Sequence, residues 1–128
     1  MQKIVLDVKS KNPGHYVPGM ISKGMLYVSG QLPKDLDTGK LVEGGMRAQM
    51  LQALDNVHRV LLAGGCDLKD VVLCHVYIPD MGYWDEINRI YAEYFGEYMP
   101  ARVVVPTRDL HFGALVEIEA VAEIPEQE

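Results

Sequence analysis

The chain has 128 residues, 48% hydrophobic and 23% charged, a length and balance that suit one compact domain spanning residues 1–128 and argue against intrinsic disorder. A net charge of -6, with no Lys/Arg cluster or stripe, makes nucleic acid and anionic membrane poor partners. No apolar run approaches the length of a bilayer span, and residues 1–7 lack the apolar stretch of a signal peptide, so a cytoplasmic protein is expected.

In chain order, residues 3–7 read as a first strand, and Asn12-Pro13-Gly14 breaks the chain. Residues 16–21 and 25–29 read as two strands joined by a tight Lys23-Gly24 turn. Asp37-Thr38-Gly39-Lys40 is a further turn. From about Gly45 to Ala63 the spacing predicts a helix: Met50, Leu54, Val57 and Leu61 recur at i, i+4, i+7 and i+11. Arg47, Gln52, Asn56 and Arg59 populate its polar remainder, and Gly64-Gly65 supplies a left-handed cap.

Residues 70–79 form a strand in which Val72, Cys74, Val76 and Ile78 alternate with Val71, Leu73, His75 and Tyr77. Both sets are largely apolar, so both faces are expected to be covered. A second helix runs over about 83–95, with Trp84, Ile87, Tyr91 and Phe95 as its buried stripe. The last strands fall at 101–107 and 114–123. The order β-β-β-α-β-α-β-β predicts an α+β layer, a single mixed sheet with two helices packed on one face. On the last strand Val116, Ile118, Ala120 and Ala122 suit the helix side, while Leu115, Glu117, Glu119, Val121 and Glu123 share the other. A half-apolar sheet face bearing isolated charges fits a subunit interface with polar pockets.

The chemistry-bearing residues are few. Arg102 opens a strand of β-branched neighbours and Glu117 sits inside another; a charge in such surroundings requires a partner. A guanidinium fork suits a carboxylate ligand, and a fixed carboxylate can orient or activate water. Spacing alone is equally consistent with an Arg102–Glu117 ion pair that only holds an interface together. Cys66 and Cys74 form no CxxC, and His15, His58, His75 and His111 are not spaced as HxH or HxxxH, so neither a disulfide framework nor a metal site is expected. Cys74 reads as a small core residue, His58 as packing beside a helix stripe, and Glu119 as a solvated or interface carboxylate. His15 and His111 flank the motif segments. The acidic end, residues 123–128, reads as a solvated tail.

Val28-Ser29-Gly30-Gln31, the Asp37-Thr38-Gly39 turn, Gln52-Ala53-Leu54-Asp55-Asn56-Val57, Asn88-Arg89-Ile90-Tyr91-Ala92-Glu93-Tyr94-Phe95, Pro100-Ala101-Arg102 and Val116-Glu117-Ile118-Glu119-Ala120-Val121-Ala122, in this order and spacing, resemble the Rid family, also called the YjgF-like or reactive intermediate/imine deaminase family. The resemblance runs from about residue 14 to 122. It implies a chorismate-mutase-like fold, a homotrimer whose sheets form a central barrel, and clefts between subunits. It further implies hydrolysis of reactive 2-imino and enamine acids, such as 2-aminoacrylate, 2-iminopropanoate and 2-iminobutanoate, to 2-keto acids and ammonia, with no metal or organic cofactor. On this resemblance Arg102 grips the substrate carboxylate and Glu117 attends the attacking water. Tyr16, Ser29, Gly30 and Asn88 line the pocket, and the backbone amide of Val104 helps bind the carboxylate. Two features depart from the family pattern. His15-Tyr16-Val17-Pro18 stands where many members read Pro-Tyr-Ser-Gln, and Val104 stands where a cysteine is common. Both bear on substrate preference, and a non-catalytic small-carboxylate-binding trimer or a deaminase of another amine are the alternative readings.

Overall fold

The computed structural model describes residues 1–11 and 14–126. Asn12 and Pro13 of the expected break, and the last two residues of the acidic tail, lie outside the described residues. Strands β1 (Gln2–Lys3), β2 (Gly19–Ser22), β3 (Met25–Gln31), β4 (Val71–Ile78), β5 (Ala101–Pro106) and β6 (Glu117–Glu123) form one mixed six-stranded sheet in the order β1-β2-β3-β6-β4-β5. Helices α1 (Gly45–Ala63) and α2 (Trp84–Phe95) cover one face. Strands β4 and β5 are parallel, and α2 supplies the crossover that parallel neighbours require.

The helix side of the sheet is the core. Ile118, Ala120 and Ala122 of β6 are buried, with Cys74, Val76 and Ile78 of β4 and Leu26 and Val28 of β3. Against them α1 packs Met50, Leu54, Val57 and Leu61, and α2 packs Ile87, Ile90, Tyr91 and Phe95. The small alanines of β6 let the helices approach closely, and burying each large aliphatic side chain contributes about 1.5–3 kcal/mol. Helix α1 ends as its Gly-Gly pair predicts: Gly65 takes φ 83, Cys66 N–H reaches Leu61 O at 2.8 Å and Gly65 N–H reaches Leu62 O at 3.1 Å, a Schellman closure. The β2–β3 turn is at Lys23-Gly24, both at positive φ.

Several expectations are corrected. The first strand is only Gln2–Lys3, because beyond Ile4, whose N–H bonds Gly19 O, the chain leaves the sheet and lines a cleft with residues 30–39. The second begins at Gly19 rather than residue 16. A bulge between Val71 and Leu73 shifts the phase of β4, so Val71 joins the buried set and Val72 is exposed. The opposite face of β4 is only half-covered: Leu73, His75 and Tyr77 are half-buried. Trp84 is 36% exposed, and Ile90 takes its place in the buried stripe.

Asn56 is not on a polar face. It is 3% exposed, donates Nδ2–H to Leu32 O (3.1 Å) and Lys34 O (2.8 Å), and accepts from Gln52 Nε2 (2.9 Å). It ties the loop after β3 to α1. Asn56→Ala leaves two carbonyls near the core without these donors and is expected to lower unfolding free energy by about 2 kcal/mol or more, read as a lower urea midpoint at unchanged m. His58 is likewise more than packing, since its Nε2 lies 2.8 Å from Asp67 Oδ1. Cys66 and Cys74 are both buried and free, and burial, foremost, pushes both thiols up, Cys66 to about 11. No described helix is long and apolar enough to cross a membrane.

Candidate functional site

Arg102 lies near the start of β5, an edge strand whose outer row of backbone groups has no ladder partner among the described residues. Its register partner is Cys74, so its side chain leaves the sheet on the helix side. There the guanidinium carbon sits 4.8 Å from the Tyr91 ring centroid and 5.8 Å from that of Trp84. Trp84, Asn88 and Tyr91 follow at i, i+4 and i+7 along α2, which places the Asn88 amide on the same strip of helix. Val104, two residues along β5, shares the face and is half-buried against the core. Among the described residues no carboxylate pairs with Arg102. A half-buried guanidinium over the Tyr91 ring, with Trp84 beside it and no carboxylate on its fork among the described residues, suits a planar anion.

Glu117 lies on the other face. Its register partner is Tyr77, three residues from Cys74 and therefore of opposite parity. It lines a cleft of about 680 Å³ together with Gly14, Tyr16, Ser29, Gly30, Leu32, Lys34, His111, Phe112 and Glu119. The carboxylate rests directly on Gly30: a Cβ built there would stand 2.9 Å from Glu117 Oε2. Ser29 Oγ–H donates to Val17 O at 2.7 Å, and Ser29 N–H to Pro18 O at 2.9 Å, which anchors the segment carrying Tyr16. Burial first, and then the neighbouring Glu119 charge, push Glu117 above the usual carboxylate range, while His111 pulls it down. Glu119 is not simply solvated. It accepts a short hydrogen bond from Tyr77 OH and stands 3.5 Å from His75 Nδ1. That bond, more than burial, pushes the Tyr77 hydroxyl up to about 12.

The chain therefore carries two half-sites. Arg102, Asn88 and Val104 gather at the β5 edge beneath α2, and Tyr16, Ser29, Gly30 and Glu117 gather in the cleft on the uncovered face. Arg102 and Glu117 do not meet within one copy. Sequence reading missed Trp84 and Tyr91 as the seat of Arg102, although their spacing about Asn88 was readable. It also missed Tyr77 and His75 as partners of Glu119, and Lys34 and Phe112 as cleft walls. Because Gly30 presses on the mobile end of Glu117, Gly30→Ala is expected to swing that carboxylate aside and cut turnover at least about 10-fold while thermal stability stays nearly unchanged, a split read from kcat and melting on one preparation.

The sequence pattern of the family described as Endoribonuclease L-PSP matches residues 9–124. A RutC family protein of Pyrococcus horikoshii is 38% identical over 95% of this chain and 98% of its own. The 2-iminobutanoate/2-iminopropanoate deaminase of Homo sapiens is 38% identical over 85% of this chain and 80% of its own. A crystal structure from Yersinia pestis, of a protein of the conserved Rid family, superposes with a TM-score of 0.89 at 37% identity, covering 96% of this chain and 98% of that one. The chain belongs to the Endoribonuclease L-PSP family, the Rid family that its motifs resemble.

Proposed function

We propose that the protein is a hydrolytic deaminase of reactive 2-imino and enamine acids, working without metal or organic cofactor in clefts between neighbouring copies of a homotrimer. The observation that supports this reading is that Arg102 and Glu117 lie on opposite faces of one sheet, so a site that uses both takes Arg102 from one copy and Glu117 from the next. The uncovered sheet face supports assembly. Tyr27 and Val103 are 48% and 44% exposed there, a cost that a central barrel of packed sheets removes. The deaminase named among the relatives supports the chemistry.

In this reading Arg102 takes the substrate carboxylate in its fork, with the Val104 amide and Asn88 beside it. Tyr91 and Trp84 stand beside the guanidinium, and bidentate capture of the carboxylate orients the imine carbon. Glu117, ionised, accepts a proton from a water as its oxygen bonds to C2 and the C=N π pair moves to nitrogen. The carboxylic acid so formed hands that proton to the amine. The C–N bond then breaks, the hydroxyl oxygen loses its proton to Glu117 as C=O forms, and that proton leaves with ammonia as ammonium. One iminium and one water give one 2-keto acid and one ammonium. An enamine enters the same sequence after protonation at C3.

The test is a coupled assay in which a serine or threonine dehydratase generates the imine in place and keto-acid appearance is followed. Acceleration by the protein is expected. No acceleration from a correctly assembled oligomer would leave a carboxylate-binding protein in place of an enzyme.

A further inference from the structure

Phe112 is the least expected residue of the cleft. It lies in the single 3₁₀ turn His111–Gly113 before β6, at φ 61 and ψ 17, a left-handed conformation that bulky side chains seldom adopt. It is 61% exposed, so folding of the chain gains little from its ring. Strain held in an exposed aromatic at the wall of a charged cleft points to use by an occupant.

The ring is nonetheless fixed. Lys34 Nζ stands 4.2 Å from its centroid, and the His111 ring lies edge-on with centroids 3.8 Å apart. Lys34 is itself held, its backbone bridging Leu41 and its carbonyl accepting from buried Asn56. The turn is closed by Gly113 N–H to Leu110 O and Ala114 N–H to His111 O, and Leu115 N–H donates to Gln49 Oε1 at 2.8 Å. Both sides of the contact are thus pinned to α1, and Phe112 is a preorganised wall rather than a swinging one.

Resting on the deaminase reading, we infer that Phe112 determines substrate choice, and that the class favoured is 2-imino acids with an aromatic or large apolar side chain. With the carboxylate gripped by Arg102 of one copy and C2 placed over Glu117 of the next, the substituent on C2 remains to be housed. The cleft around Glu117, walled by Phe112 and Tyr16, is where that substituent falls. An aromatic substituent packs against a fixed ring, whereas a methyl group leaves that ring in water.

The test separates binding from turnover. Calorimetric titration with phenylpyruvate and with pyruvate reads the preference without chemistry, and imines generated by an amino-acid oxidase from phenylalanine, leucine or alanine read it in kcat/KM. The wild type is expected to favour the larger ligand by about 10-fold or more in both. Phe112→Asn keeps a residue that tolerates the left-handed region and removes the ring. It is expected to abolish the preference, lowering kcat/KM for the phenylalanine-derived imine about 10-fold or more relative to the alanine-derived one. Equal or stronger binding of pyruvate by the wild type overturns the assignment, as does an Asn variant that weakens all ligands alike. Loss of the assembly in that variant, seen by gel filtration, also overturns it, because Phe112 is then an interface residue. A selective binder with no turnover on any imine upholds Phe112 and sinks the deaminase reading alone.

Discussion

Arg102→Ala and Glu117→Gln are each expected to be inactive alone and to recover activity when mixed. On the proposed mechanism, removing the guanidinium takes away the charge-assisted grip on the carboxylate and removing the Glu117 charge takes away the proton acceptor; each is expected to lower kcat/KM about 10²–10⁴-fold. Both variants should fold. Arg102 gives up only its stacking over Tyr91 and Trp84, worth about 1 kcal/mol, and Gln is isosteric with Glu. When the two are unfolded and reassembled together, a site that takes Arg102 from one copy and Glu117 from another finds both intact in about a quarter of random pairings. Recovery toward that fraction, against none for either variant refolded alone, is the expected result. Mixed assemblies that stay inactive, with mixing verified by two affinity tags, would overturn a site shared between copies. Arg102→Lys sharpens the point. It keeps the charge and loses the planar fork, so KM should rise more than kcat falls.

The parts of the fold legible in the sequence are those in which one periodicity acts without interference. Helix α1 falls at Gly45–Ala63 because its stripe and its Gly-Gly ending agree, and the two faces of β6 separate as strict alternation requires. Misreadings arise where geometry is set by a partner strand or a loop. The Val71–Leu73 bulge inverts the phase of β4 locally, which no alternation pattern in a run of apolar residues reveals. Asn56 looks polar and solvent-facing by composition, yet it is buried because the loop after β3 offers it two carbonyls. The site shows the same division. Glu117, Gly30, Ser29 and Tyr16 come together as their motif positions anticipate. That Arg102 stands on the other face follows from its register with Cys74, a long-range fact. Phe112 carries no motif, and only its backbone conformation and its position beside Lys34 single it out.

The rate profile is expected to have an acidic limb that belongs to Glu117 and moves in opposite directions with its two nearest charges. Glu117 accepts a proton from water only when ionised, so activity rises with pH through its pKa, which burial and the Glu119 charge hold above the usual carboxylate range and His111 partly lowers. Tyr77, its hydroxyl pushed up to about 12 and so neutral at working pH, also stands beside it, and Lys34 lines the same cleft. Glu119→Gln keeps an acceptor for Tyr77 and removes the negative charge, so the limb should shift to lower pH. His111→Ala removes the charge that lowers the Glu117 pKa and should shift the limb higher. Limbs that do not move, or move together, would assign the acidic group elsewhere. Stability supplies the complementary readout. A carboxylate whose folded pKa is raised binds more protons folded than unfolded between its ordinary and raised values, so its contribution to stability falls as pH rises through that window and stays unfavourable above it. Glu117→Gln is therefore expected to raise the melting temperature at pH 7 while abolishing turnover, and the gain should vanish below the ordinary carboxylate pKa, where wild-type Glu117 is uncharged in both states. A charge retained in a half-buried cleft against the stability of its own fold is what a group kept to move protons requires, and a melting temperature that fell at pH 7 would mean that Glu117 is held there for structure.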